Sequence, residues 1–502
     1  MALTVVTTPV ISSGIPFILD DAGSIFVAED GVVVSDTNIG ILADQTRHNL
    51  DINGEVYGDR TGIEIATKGG ADGASNSRLI ISETGKVSGG STGVELGGSD
   101  ITVSNTGTIS GNTGIQASSG GDMSIYNSGD IIGGFGLGIT FSGAGEIVNT
   151  GLIMSASSDA ISLRGSRTSP EEGAVVKNYG TILGDDIAIT SDKGTRLEVL
   201  NFGTIQGAVR GNSQDDLVVN AGLIVGDVNL FGGNDTYDGR DGSVVGEVLG
   251  GLGDDLYIVN DTATQLVEFD DGGSDTVESE VSFVLGDHFE VLDLIGAEDA
   301  NGIGNALANE ISGNGGRNRL NGKAGDDDLS AANGNDTVIG GSGSDTLTGG
   351  DGDDTVRGGD EADTVNGGEA NDVVKGGAGD DKVSGGNGDD TIYGGLGKDR
   401  LFGNEGADKF VFQNRNESPN DSTADNLKDF EVGTDKIDLS GLNPDLMIIG
   451  SSGFSGTRGE VRLTETDDGD TIVRVDLDGD GTGDMKINVR DATGLSDSDF
   501  IL

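Results

Sequence analysis

Cysteine and tryptophan are missing from this 502-residue chain, proline occurs 5 times, and aromatic residues make up 4% of it. Without cysteine there is neither a disulfide framework nor a thiolate metal site, and the lack is compatible with export. The two histidines, His48 and His288, stand alone, so no zinc centre is expected and the His-Glu-x-x-His signature of zinc proteases does not occur. Basic residues are scarce: 29 Lys and Arg stand against 86 Asp and Glu, a formal net charge of −57. Such a chain is a poor partner for nucleic acid or an anionic membrane and a good one for metal cations. No apolar run approaches the roughly 20 residues of a membrane span, so no membrane insertion is expected. The first basic residue is Arg47, so no cleaved N-terminal secretory signal is expected either.

What the chain has in excess is glycine, 91 residues of it, recurring at fixed offsets that separate it from collagen and from glycine-rich disorder. The first period is about 22 residues and is marked by NTGTI (105–109), NSGDI (127–131), NTGLI (149–153), NYGTI (178–182), NFGTI (201–205) and NAGLI (220–224). Two residues after each glycine stands a β-branched residue, and the series extends upstream through Val33, Val56 and Val87. Three short alternating runs per period imply one turn of a right-handed parallel β-helix over residues 1–211. Asn105, Asn127, Asn149, Asn178, Asn201 and Asn220 then form a ladder at one corner, where a side-chain amide satisfies turn backbone groups. Segment 212–303 is a transitional solenoid with a shorter period, in which Asp235 and Asp255 begin to occupy a Gly-x-Asp motif.

Strict ninefold order runs from Gly313 to Val411 within segment 304–411, in the pattern G-G-x-G-x-D-x-U-x, where U is apolar. Position 8 is read as the only inward side chain of a very short strand. One apolar residue in nine is too thin a core to offset the backbone entropy of so glycine-rich a segment. Position 6 is aspartate in ten successive repeats: Asp327, Asp336, Asp345, Asp354, Asp363, Asp372, Asp381, Asp390, Asp399 and Asp408. Carboxylates beside turn carbonyls are the donor set of a hard cation, and flexible oxygen cages of this kind suit Ca2+ better than Mg2+.

Repeats such as GGAGDDKVS, GGNGDDTIY and GGDGDDTVR resemble the RTX (hemolysin-type) calcium-binding family. The resemblance implies a parallel β-roll with two nonapeptides per turn, and several Ca2+ ions held between turns by position-6 aspartates and loop carbonyls. The best sites are expected in 340–357 and 376–402, in repeats such as those starting at Gly340, Gly349, Gly376 and Gly385. Weaker or missing sites are expected where Ala331, Ala332, Glu361 and Ala370 replace glycine. The tail, with ADKFVFQ (407–413), DNLKDFEVGTDKIDLS (425–440) and DFIL (499–502), resembles the C-terminal region of serralysin-like proteins exported through type I channels. That implies a β-rich cap and uncleaved secretion signal over 412–502. DLDGDGTGD (476–484) matches half of an EF-hand loop at Asp476, Asp478 and Asp480, with Asp484 at the ninth place, but Ile487 stands where the bidentate Glu belongs.

No catalytic residue is assigned. GGSTG (89–93) matches a nucleophile elbow without the strand, helix or histidine partner it needs. Two longer insertions, 67–78 and 164–173, the second with Arg164, Arg167, Glu171 and Glu172, suit uronate sugars and raise the alternative of a polysaccharide lyase or epimerase. The leading expectation is an all-β, secreted, calcium-binding structural or adhesive protein that folds on Ca2+ after export. Its N-terminal part resembles adhesin passenger β-helices, its place is extracellular or at a bacterial cell surface, and its partners are extracellular polysaccharide or cell-surface components.

Overall fold

The computed structural model describes all residues except 1, 2, 13, 16, 20–22, 45, 46, 67–75, 119–121, 166–172, 193, 271, 443 and 444. The chain divides into two compact units, Met1–Asp275 and Thr276–Leu502, the division falling inside the 212–303 segment. The described residues are almost entirely β, the one helical piece being a 3-10 turn at Asp497–Asp499. None of their helices is long and apolar enough to cross a membrane.

The first unit is a parallel β-solenoid whose coils carry three strands. Ile101–Asn105, Thr108–Gly111 and Thr113–Ser118 make one coil, and each pairs in parallel with its counterpart in the next: Met123–Asn127, Asp130–Gly133 and Ile139–Ser142. Alternation puts one residue in two inside. The β-branched series stacks in register as Val33, Val56, Val87, Ile109, Ile131, Ile153, Ile182, Ile205 and Ile224. All nine side chains are buried. Glycine in the N-x-G corner is required by close approach: a Cβ on Gly129 would strike the carbonyl of Gly107 one coil away. In the later coils the second and third strands merge into single strands, Thr181–Ser191 and Thr204–Asn212, which bend through register shifts.

The second unit winds in 18-residue coils of two strands each. Thr337–Ser342 pairs with Thr355–Asp360, and Thr346–Asp351 with Thr364–Glu369, each partner 18 residues along. These strands are six residues long, running from position 7 of one nonapeptide to position 3 of the next, against the very short strand expected. Consequently the inward set is position 6, position 8 and position 1, not position 8 alone, as in Asp336, Val338 and Gly340. The cap continues both sheets. Asn426–Leu427 and Lys436–Asp438 each add to a sheet, and an antiparallel meander of Glu460–Glu465, Thr471–Asp476 and Met485–Val489 follows. The terminal Phe500–Ile501 pairs with Lys436–Asp438.

Candidate metal-binding ladders

Every position-6 aspartate from Asp327 to Asp408 is at most 3% exposed. Except for Asp336, whose nonapeptide opens with Ala331, the tight turn at positions 4 and 5 folds each back over the glycine that opens its own nonapeptide. Its Oδ1 accepts the backbone N–H of the position-6 residue one coil earlier, as in Asp327 N to Asp345 Oδ1 (2.9 Å) and Asp345 N to Asp363 Oδ1 (2.8 Å). Two such ladders run along the two edges. One passes through Asp327, Asp345, Asp363, Asp381 and Asp399 to Asp425, the other through Asp336, Asp354, Asp372, Asp390 and Asp408 to Asp435. The cap thus supplies the last rung of each.

The second oxygen, Oδ2, is buried without a hydrogen-bond partner in all ten aspartates and in Asp425. An isolated buried carboxylate oxygen is costly unless it is protonated or paired with a cation. Burial, reinforced by neighbouring carboxylates, raises the whole row. Asp327, Asp354 and Asp408 are pushed up to about 6, Asp363, Asp381, Asp390 and Asp399 to about 7, Asp372 to about 8 and Asp425 to about 9. Asp336 and Asp345 are raised by burial as well.

The surroundings of Oδ2 fit a hard cation. The space that a Cβ on Gly340 would occupy is bordered by Asp345 Oδ2 and by the carbonyl oxygen of Gly358 in the next coil; Gly349, Gly358, Gly367 and Gly376 repeat the arrangement. Carboxylate and carbonyl oxygens from successive coils therefore converge, with only acceptors between them. At the start of each ladder Asn309 and Asn318 replace aspartate: Nδ2 takes the place of Oδ1 and donates to Phe289 O (3.0 Å) and Ala300 O (2.6 Å) one coil earlier, while Oδ1 faces the position-1 glycine and accepts the N–H of Asn305 and Asn314. Among Gly340, Gly349, Gly376 and Gly385, each lies against the carboxylate of its own repeat, Asp345, Asp354, Asp381 and Asp390.

Glycine's replacements keep a positive φ. Ala332, Glu361 and Ala370 adopt φ of 73°, 74° and 79°, smaller than the 108° to 151° of the glycines at positions 2 and 4. Asp336, Asp363 and Asp372 in those repeats keep the same Oδ1 bond and the same unpartnered Oδ2.

A second ladder on the outer side was not anticipated. Exposed position-5 side chains accept the N–H of position 5 one coil later: Asp326 from Ser344, Asp353 from Asn371, Asn371 from Asp389, Asp380 from Lys398 and Asp389 from Ala407. Its direction is opposite to that of the buried ladder, so each coil is tied to both neighbours. The signal in the sequence is the Asp-Asp or Asn-Asp doublet at positions 5 and 6.

The earlier aspartates behave like the roll. Asp235 Oδ1 accepts from Asp216 N and Asp255 Oδ1 from Asp235 N, both at 2.7 Å. Their Oδ2 atoms are buried and unpartnered, and burial pushes them up to about 8 and about 7. The half EF-hand is different. Asp476, Asp478 and Asp480 converge within 4.8 Å, in the connection of an antiparallel hairpin. Both Asp476 oxygens accept turn N–H groups, from Gly479 and Gly481, and Asp484 is held by Leu477 N and faces Arg415. Of the uronate-binding candidates, Arg164 ends the strand Ile161–Arg164, while Arg167, Glu171 and Glu172 lie outside the described residues.

The family described as Peptidase M10 serralysin C terminal matches residues 141–502. No curated protein matches the chain. Two solved structures are similar in part, both subunits of the Azotobacter vinelandii mannuronan C5-epimerase. The solution structure of AlgE6R3 is 29% identical, covers 28% of this chain and 78% of its own, and gives a TM-score of 0.24. That of AlgE6R2 is 27% identical, covers 29% of this chain and 90% of its own, and also gives 0.24.

Proposed function

The chain belongs to the Peptidase M10 serralysin C terminal family, and from that premise we propose that it is a secreted, calcium-binding structural or adhesive protein whose roll folds around rows of Ca2+. The observation that carries this reading is the file of buried Oδ2 atoms facing glycine carbonyls of the next coil. Asp327 through Asp408 and the position-1 glycine carbonyls would hold the ions. Calcium supplies there the positive charge that an acceptor-only cage lacks. Oxygen sites of the extracellular type bind at about 10⁻⁴–10⁻³ M, so the roll would stay open in low cytosolic calcium and close outside the cell.

In this reading 1–211 is the presented β-helix, 212–303 a transition, 304–411 the cation-dependent roll, and 412–502 the cap that also addresses the chain to a type I channel. The surface partner is an extracellular polysaccharide or another cell-surface component. Calcium titration of the full chain by calorimetry at pH 8 should show several ions binding with a large heat of folding. A roll whose amides are fully protected in EGTA, with no calcium taken up, would sink the reading.

A further inference from the structure

One sheet of the second unit carries two rows of opposite charge on its outer face. At the cap end, alternation along Glu460–Glu465, Thr471–Asp476 and Met485–Val489 buries Val461, Leu463, Val473, Val475 and Ile487 and turns Arg462, Arg474 and Lys486 outward. Register sets Arg462 directly opposite Arg474, and Arg474 opposite Lys486. Like charges so placed repel. Arg462 Nε is buried without a hydrogen-bond partner. Burial lowers the Lys486 ammonium, and Arg474, Lys398 and Arg490 push it the same way, with Asp421 opposing them. The strip continues over Asn426–Leu427 to Arg400, where Lys398, Arg400 and Lys428 line a recess of about 430 Å³ with Asp380 and Asn426. Among the described residues, Arg490 alone of Arg400, Lys428, Arg462, Arg474, Lys486 and Arg490 forms an ion pair, with Asp470 at 2.7 Å. The acidic row lies on the same face, toward the start of the roll. Asp351 stands opposite Glu369, and Glu369 reaches Glu405 through Asn387, one strand at a time. All four are exposed, and with Asn366 and Ser384, which point outward from the same strands, they border a recess of about 680 Å³. Asn387 Nδ2 donates to both Glu369 oxygens (2.9 and 3.0 Å), and the described lining of the recess holds no Lys or Arg.

We propose that this face docks a second copy of the chain, related by a two-fold axis, so that the cationic strip of each copy lies over the acidic row of the other. Both rows have the pitch of paired strands, about 4.8 Å, so cations and carboxylates meet rung for rung. A two-fold axis between the faces makes both contacts at once and closes the assembly at a dimer. Each row relieves in its partner the repulsion it carries alone. The contact involves no metal, and it goes beyond the calcium reading rather than resting on it.

Sedimentation of the full chain, saturated with calcium, tests the contact. A dimer should form in about 0.05 M NaCl and dissociate toward about 0.5 M, as the screening length shrinks. Arg474→Glu with Lys486→Glu should weaken dimerisation at least tenfold, and so should Asp351→Lys with Glu369→Lys. An equimolar mixture of these two variants should dimerise again, because an acidic row then meets a basic one in both halves of the interface. Arg357→Glu, on the other sheet of the roll, should change nothing. Hydrogen exchange at the Asp345 and Asp381 amides checks that each variant is folded. A chain that stays monomeric, a dimer indifferent to either charge reversal, or a mixture that restores nothing would overturn the proposal, as would a monomer whose strip takes up polyglucuronate instead.

Discussion

Two corners of this molecule solve the same problem with side chains that differ by one atom. In the first unit Asn105 Nδ2 donates to Asn127 Oδ1 (2.7 Å), and the pattern repeats through Asn149, Asn178 and Asn201 to Asn220 at 2.8–2.9 Å. Each amide also reaches turn carbonyls, as Asn105 does at Gly107 O and Asp130 O. In the second unit aspartate holds the corner, its Oδ1 engaged and its Oδ2 unpartnered. Asparagine is donor and acceptor at once, and an ionised aspartate only accepts. A neutral ladder closes with its own atoms; an acidic one is completed by a proton or a cation. The exchange of NH2 for O turns an unconditional fold into a conditional one.

The largest expected effect separates the two corners outright. Chelation with EGTA at pH 8 should abolish hydrogen-exchange protection at Asp345, Asp363 and Asp381 while the amides of Gly107, Gly180 and Gly203 stay protected. Equal loss in both regions would erase the distinction.

Acidity should then act with opposite signs. Without cation, a carboxylate raised to about 7, such as Asp381 or Asp390, favours the folded roll only while protonated. Below the unfolded value of about 4 both states are protonated and no penalty applies. Between about 4 and 7 the unfolded chain ionises first, and stability falls as pH rises. Lowering pH from 8 to 5 in EGTA should therefore restore β signal by circular dichroism. In calcium, the same change should weaken binding, because protons compete for the ligands.

Exchanging the two side chains tests the comparison atom by atom. Asp372→Asn should stabilise the cation-free roll at pH 8 by about 1–3 kcal/mol, the cost of an unpaired buried group, and reduce calcium uptake. Asn149→Asp should destabilise the first unit by a similar amount and make it pH-sensitive, as read from urea midpoints.

The last two exchanges concern glycine, and the second has the smallest effect. Gly376→Ala would force a methyl against Asp381 and cost about 1–3 kcal/mol. Ala370→Gly relieves a left-handed alanine and should add at most about 1 kcal/mol, by thermal melting in calcium.

Much of the solenoid was readable because its repeats are local and regular. The inward column from Val33 to Ile224, the asparagine corner, and the ninefold spacing of Asp327 to Asp408 are all properties of period. What escaped depends on partners a coil away. The length of the strands, and with it the inward glycine at position 1, follows from Asp345 folding back over Gly340. The last rungs, Asp425 and Asp435, sit 26 and 27 residues beyond Asp399 and Asp408, where the ninefold count has stopped.

The alternation of edges makes this fold a ruler with a fixed increment. Alternate nonapeptides feed separate rails, the one through Asp327 ending at Asp425 and the one through Asp336 at Asp435. Excising one nonapeptide would send each rail to the wrong terminus, whereas excising a pair preserves both. Adding or removing 18 residues therefore keeps both rails in phase, each step lengthening or shortening the roll by about 4.8 Å.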